Sequence, residues 1–456
     1  MKSILVYLIF IQLLLPSLLF AEKKSVDDIL EILASEHPES KSLAGTSQAH
    51  KFHTEASGIL PDPKVGFAFR NYPTRNGYSL SGNKALDTPT MTGMELSVSQ
   101  EFPFPGKLDT QKKVSKFLQS EADLAYLSGV NRIAGELFLR LNRFKSFERK
   151  KLINQRVLSL LDAQKSISES SYSYGGSTLA GVLKTTVAKT EAVARETEYS
   201  TSLNDLRSQL DYYLISGKLS FADLSEMDLD SFLEKEYLEL ESLMKSDSSI
   251  VETSPDYKIQ TEEERRLKEQ AKLARYSLAP ETEVFFSYMK RKPQTFVLDQ
   301  GPLNYALMDV TEYRGDLFSL GINMRVPVWS ALKWDSITGE SDHLAEAGKD
   351  SVEKTRNQMF SELQRNLSLF KGLAEQIGIF EKRLIPELEK AARAGTYQYA
   401  AGKSNVLDTL LVQTEILNTK IRLEDLKERK NESIISVLKL LSLLYKEIKT
   451  SEHKNH

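Results

Sequence analysis

The chain is written twice, and a tandem duplication restricts it to two copies of one structural unit. Tyr172-Ser173-Tyr174-Gly175-Gly176-Ser177 returns as Tyr397-Gln398-Tyr399-Ala400-Ala401-Gly402-Lys403-Ser404, an offset of 225 at the tyrosines. The offset is 224 where Val182-Leu183 returns as Val406-Leu407 and Thr190-Glu191 as Thr414-Glu415. Upstream, Phe102-Pro103-Phe104 matches Val326-Pro327-Val328, again at 224. Leu60-Pro61-Asp62-Pro63 roughly matches Leu278-Ala279-Pro280-Glu281, near 218. Four landmarks in the same order make a repeat of about 220 residues.

Within each copy the hydrophobic period changes. Met94, Leu96, Val98 and Phe102 alternate with Glu95, Ser97, Ser99 and Glu101; Phe318, Leu320, Ile322, Met324 and Val326 alternate with Ser319, Gly321, Asn323 and Arg325. Such alternation predicts strands with one apolar and one polar face. Upstream partners are Val65, Phe67 and Phe69 in the first copy and Val284, Phe286 and Tyr288 in the second, where Phe285 and Met289 fall on the other face. Each copy is expected to hold one hairpin, over residues 65–102 and 282–326. Polar, turn-rich segments at 71–93 and 290–315 are read as their loops.

After each hairpin the period becomes helical. Val130, Ile133, Leu137, Leu141 and Phe144 recur at spacings of three or four, as do Met359, Leu363, Leu367, Phe370 and Leu373. No proline occurs from Gly106 to Tyr172, so a helix of roughly 100 Å is allowed, a length typical of coiled coils. The Tyr-x-Tyr segments read as sharp turns, giving long helical hairpins over 106–215 and 330–449. Residues 25–58 and 255–278 are expected to be helices leading into each hairpin. Between the copies, residues 217–254 form an acidic linker of short helices with a solvated face, so that the copies cover 22–216 and 255–449.

Residues 1–21 have a basic start at Lys2 and an apolar run broken by Gln12 and Pro16, ending in Ala21. This is read as a secretory signal cleaved after Ala21. Residues 450–456 are expected to be a disordered tail. With 60 Lys+Arg against 63 Asp+Glu and net charge −3, nothing favours nucleic acid as a partner. The absence of cysteine excludes thiolate metal sites, disulfides and a cysteine-linked lipid anchor. No P-loop, G-x-S-x-G or H-E-x-x-H occurs, and His50 and His53 lack an evident third ligand, so no enzyme, cofactor or metal site is expected.

Four strands cannot close a barrel, and a bilayer does not tolerate open sheet edges. Three copies would supply 12 strands, an even number within the outer-membrane range. Glu95, Ser97, Ser99, Glu101, Ser319, Gly321, Asn323 and Arg325 would then face a water-filled lumen. The alternatives are a soluble sheet with a helical stalk and an exported coiled-coil structural or adhesion protein. The second would leave the alternating strands and their apolar Phe and Ile unexplained.

Hairpin, long helix, Tyr-x-Tyr turn and return helix, twice over, together with Leu60-Pro61-Asp62-Pro63 and Ser99-Gln100-Glu101-Phe102-Pro103-Phe104-Pro105-Gly106-Lys107-Leu108, resemble the TolC-like outer-membrane efflux channels. The resemblance covers essentially all of the chain after the signal. It implies an α+β membrane protein: a homotrimeric 12-stranded outer-membrane β-barrel, four strands per chain, continued by a long α-helical coiled-coil periplasmic tunnel. It also implies passive conduction and docking to a periplasmic adaptor and an inner-membrane pump, expected to be of the RND type. The proline motifs are closest to the heavy-metal cation branch, so metal cations are the first substrate expectation; type I protein secretion and drug efflux use the same duct.

By motif position, adaptor contact is expected at Gly175, Gly176, Ser177, Gly402, Lys403 and Ser404. Asp408 matches the first of two acidic gate positions, whereas Leu411 occupies the second. Ser404, with Lys403 beside it, stands where the family often has a basic latch residue. Three Asp408 carboxylates around one axis would repel one another and attract cations.

Overall fold

The structure, a computed structural model, describes residues 24–71, 92–175, 178–246, 249–276, 278–298, 308–401 and 406–446. The signal, the tail and the turn residues Gly176, Ser177, Gly402, Lys403 and Ser404 lie outside the described residues. Two helices open the chain, α1 (Val26–Glu36) and α2 (Pro38–Ala56). The break between them falls at His37, whose extended backbone suits the residue before a proline. Strands β1 (Lys64–Arg70) and β2 (Gly93–Phe102) then lead into α3 (Lys107–Ser173), which is unbroken over 67 residues. The return helix is α4 (Leu179–Asp211), followed by the short α5 (Phe221–Glu226), α6 (Leu229–Ser246) and α7 (Ile250–Thr253).

The second copy begins with α8 (Pro255–Tyr276) and β3 (Glu281–Arg291). The stretch read as a loop at 290–315 instead carries two strands, β4 (Gln294–Leu298) and β5 (Met308–Glu312), which pair antiparallel with each other. Only five residues long, they were masked by the surrounding polar, turn-rich composition. After β6 (Leu317–Arg325) come the single turn α9 (Val328–Ala331) and α10 (Trp334–Ile379). The helix expected to continue here is interrupted by a π-helical turn at Phe380–Leu384, after which α11 (Ile385–Ala400) resumes. Pro386 explains the turn. It lacks an N–H and crowds the preceding turn, and the chain responds by an Ile385 N–H to Phe380 C=O bond, five residues back. The final helix, α12 (Val406–Leu440), stops nine residues short of the expected 449, and Ser442 turns the chain with φ 53°.

The described residues belong to two compact units, and both copies contribute to each. The first unit (1–47, 121–260 and 352–456) is helical. Its core joins Ile133, Leu137, Phe138 and Leu141 of α3 to Ile434, Ile435 and Leu438 of α12, with Leu210, Leu224 and Leu240 from the segment between. These side chains are buried at helical spacing, each contributing roughly 1.5–3 kcal/mol relative to exposure. Polar groups pin the register of α3 against α12. Asn142 donates to the Glu428 carbonyl (3.0 Å) and accepts from Asn431 (3.1 Å), which also donates to Asp230. Asn131 pairs twice with the Tyr445 backbone, at 3.0 and 2.8 Å. The buried Lys150 ammonium is held by Asp425 and Glu428 at 2.5 and 2.7 Å. Burial alone would lower the Lys150 pKa, but these two carboxylates raise it, so the ammonium stays charged.

The second unit (48–120 and 261–351) holds a four-stranded antiparallel sheet of order β1-β2-β3-β6 and the separate β4–β5 pair. The two hairpins superpose by register: Val65 faces Val98 as Val284 faces Ile322, and Phe67 faces Leu96 as Phe286 faces Leu320. An offset of 219 thus carries β1 onto β3, and one of 224 carries β2 onto β6. The copies lie head to tail, joined where Val98 faces Phe286.

Candidate functional site

The sheet's alternation produces two contrasting faces. Val65, Phe67 and Phe69, then Met94, Leu96 and Val98, then Phe286 and Tyr288, then Phe318, Leu320, Ile322 and Met324 share one face by register. All are exposed, Phe318 to 75% and Leu320 to 71%. A contiguous apolar face of this kind marks a surface made for a partner or for lipid.

Glu95, Ser97, Ser99, Glu101, Ser319, Asn323 and Arg325 all fall on the opposite face. Here the carboxylates are met by polar partners. Arg70 pairs with Glu95, Lys64 with Glu101 at 3.6 Å, and Arg325 with Glu281 at 3.0 Å. Ser99 and Asn323 donate to the two oxygens of Glu283, at 2.7 and 3.3 Å. Sequence reasoning missed Glu281 and Glu283, although their alternation with Thr282 and Val284 carried the signal. One aromatic interrupts this face: Phe285 lies over Gly321, where an added Cβ would stand 2.5 Å from the ring.

The Phe-Pro-Phe-Pro-Gly-Lys motif turns β2 into α3. Gly106 has φ 90°, a left-handed conformation that favours glycine, and a Cβ there would meet the Tyr276 hydroxyl at 2.8 Å. Phe104 packs beside the Tyr276 ring at 5.9 Å, and Lys107 reaches Glu281 at 2.6 Å. The motif therefore ties the first copy's strand-to-helix corner to the second copy's α8 and β3.

At the other end of the long helices, Gly175 (φ 76°) closes the turn after α3, its N–H bonding the Tyr172 carbonyl at 3.0 Å. Thr178 caps α4 through the Gly181 N–H. Tyr174 is 88% exposed, and Tyr397 and Tyr399 at the end of α11 are also exposed. Asp408 is exposed in the first turn of α12, where a carboxylate is favoured by the helix dipole. Gly395 lets α11 approach Thr409 of α12 closely. Among the described residues no group of three or more His, Asp or Glu side chains is placed to hold a metal ion. No helix among them is long and apolar enough to cross a membrane.

Gly321→Val should destabilise the sheet by about 1–3 kcal/mol by overpacking against Phe285. Thermal unfolding should show the loss, and Phe285→Ala in the same chain should recover much of it; equal losses with and without Phe285 would mean the ring is not the obstacle.

No protein-family model matches the sequence, and no curated protein does. Solved structures do match. The outer membrane protein VceC of Vibrio cholerae aligns at TM-score 0.65 and 12% identity, over 91% of this chain and 96% of that one. CusC, whose structures describe folding and transmembrane channel formation, aligns at 0.66 and 14%, over 91% and 92%. The CmeC outer membrane channel of Campylobacter jejuni aligns at 0.67 and 11%, over 93% and 87%. The fold of this chain is that of these outer-membrane channels.

Proposed function

We propose that this chain, which has the fold of TolC-like outer-membrane efflux channels, works as one: a homotrimeric outer-membrane duct that passively conducts solute delivered by a periplasmic adaptor and an inner-membrane pump. The observation that carries the reading is the head-to-tail sheet. Because β6 is the second copy's version of β2, and β1 the first copy's version of β3, the free edge of β6 matches a partner that β1 supplies. Repeating the β2–β3 pairing between chains extends the sheet by the same step each time. A heterologous contact of this kind closes into a ring when the rotation permits. Three chains give 12 strands, with the apolar face toward lipid and the polar face toward a lumen.

The repeated step fixes a register. Val98 opposite Phe286 becomes Ile322 opposite Phe67 of the neighbouring copy, and Leu96 opposite Tyr288 becomes Leu320 opposite Phe69 of the neighbouring copy. Facing residues in an antiparallel pair stand about 4.5–5.5 Å apart at Cα, within disulfide reach. The chain has no cysteine, so the background is clean. Ile322→Cys with Phe67→Cys should oxidise to covalent trimers on a denaturing gel. Ile322→Cys with Val65→Cys should link poorly, and preferential linkage of that shifted pair would overturn the register.

Within this reading the turns at Gly175–Ser177 and Gly402–Ser404 receive the adaptor, aided by exposed Tyr174, Tyr397 and Tyr399. Asp408 lines the narrowest point, where three carboxylates favour cations. Asp408→Ala should lower cation over anion permeability in planar bilayers; unchanged selectivity would remove Asp408 from the constriction.

Heavy-metal cations are the proposed substrate class, supported by the likeness of the Phe-Pro-Phe-Pro-Gly-Lys and Leu-Pro-Asp-Pro segments to the metal branch. Deleting the gene should sensitise cells to copper, silver, zinc or cobalt more than to dyes and antibiotics. The opposite ranking would replace the metal reading with drug efflux.

A further inference from the structure

Among the described histidines His37 alone is buried, at 1% exposure. It is the extended residue between α1 and α2, where Pro38 opens the second helix. Its ring meets Tyr212 edge-on at 5.0 Å and stacks with Tyr213 at 6.0 Å, the two residues that follow α4. A neutral imidazole carries one N–H donor and one acceptor nitrogen. Among the described residues neither His37 nitrogen makes a well-formed hydrogen bond. The corner is thus fitted to the shape of an uncharged ring.

The charged groups around this corner are already engaged with one another. Glu36 at the end of α1 is held by Lys218 and by Lys41 at 2.7 Å, which pull its pKa down to about 2. Glu39 of α2 pairs with Arg132 of α3 and accepts from the Tyr212 hydroxyl at 3.3 Å. Glu136 of α3 is shared by Arg132 and Arg140, at 3.7 and 3.3 Å, and accepts from the Tyr213 hydroxyl at 3.4 Å. The Arg140 guanidinium also lies over the Tyr213 ring, so the aromatic partner of His37 already carries one cation. Burial lowers the His37 pKa, and the Tyr212 backbone and the Glu39 carboxylate offset this only in part.

We propose that His37 is an acid-sensitive latch: the neutral ring seats the α1–α2 corner against Tyr212 and Tyr213, and its protonation releases residues 26–47 from α3 and the end of α4. Release returns the imidazole to water, where its pKa is about 6.5. The seated form binds fewer protons than the released one, so the latch holds fully above about pH 6.5 and weakens as the pH falls below it. A single proton permits at most about a tenfold change per pH unit. Because α1 places Ile29, Leu30 and Leu33 in the core beside Ile133 and Leu137, release uncovers the apolar groups by which α3 meets α12. The latch lies within one chain, so it does not depend on the proposed duct.

The test is hydrogen–deuterium exchange on the full detergent-solubilised chain at about pH 7.5 and about pH 5.5, corrected for the intrinsic pH dependence of exchange. Opening of residues 26–47 should rise roughly tenfold at the lower pH, while the Glu36 pairs, with their low pKa, persist. His37→Phe keeps a flat ring without a titrating group and should make the opening independent of pH. His50→Gln with His53→Gln should leave the tenfold rise intact. Where the phenyl ring does not seat and residues 26–47 already exchange freely at pH 7.5, His37→Gln is read by the same criterion. Unchanged protection of the native chain at the two pH values would overturn the latch. So would an equal acid-driven rise in the His37 variants, or a rise that spreads over α12 as in global unfolding.

Discussion

A strand edge inside hydrocarbon leaves its N–H and C=O groups without partners, and each orphaned group costs several kcal/mol. That constraint underlies the proposed assembly of this chain. The sheet β1-β2-β3-β6 has an apolar face suited to lipid and, among the described residues, two outer strands paired on one side only. The duplication supplies the remedy. The inner joint β2–β3 pairs one copy's second strand with the next copy's first, and in the proposed trimer the outer edges would repeat that pairing between chains. The opposite face is polar, with Glu95, Glu101 and Glu281 paired to Arg70, Lys64 and Arg325 across the strands, as a sheet proposed to curl around water requires.

The helical part answers a different demand. Long antiparallel helices with plain apolar stripes can slide past one another by a turn at little cost, because leucine contacts are non-directional. Polar groups at particular depths prevent this. Asn131 with the Tyr445 backbone, Asn142 with Asn431, and Lys150 with Asp425 and Glu428 each have partners at one register only. A shift would bury an amide or an ammonium without its partner. The π-helical turn before Pro386 is a local concession of the opposite kind, lengthening the backbone ladder where proline withdraws a donor.

Much of this could be read from residue order. The alternation of Met94 to Phe102 and Phe318 to Val326 located the strands and sorted their faces, because a strand's side-chain period is two and admits no ambiguity when one face is apolar. The proline-free run before Tyr172 announced α3. The short β4 and β5 were not legible, since five-residue strands in a polar segment carry too few alternations to stand above composition. Nor was the Phe285–Gly321 contact, which depends on two residues 36 positions apart meeting across β3 and β6.

By itself the sequence determined that the chain is two copies of strand pair and helix pair, which residues share a strand face, and where the long helices turn. These are consequences of local period and of repetition, both of which are one-dimensional. Only the tertiary structure decided that the copies join head to tail through β2 and β3, that Gly106 docks against Tyr276, and which buried amides set the helix register. Each of these is a choice among partners far apart in the chain. Such choices are made by the simultaneous pairing of backbone edges and buried polar groups, which no single stretch of residues contains.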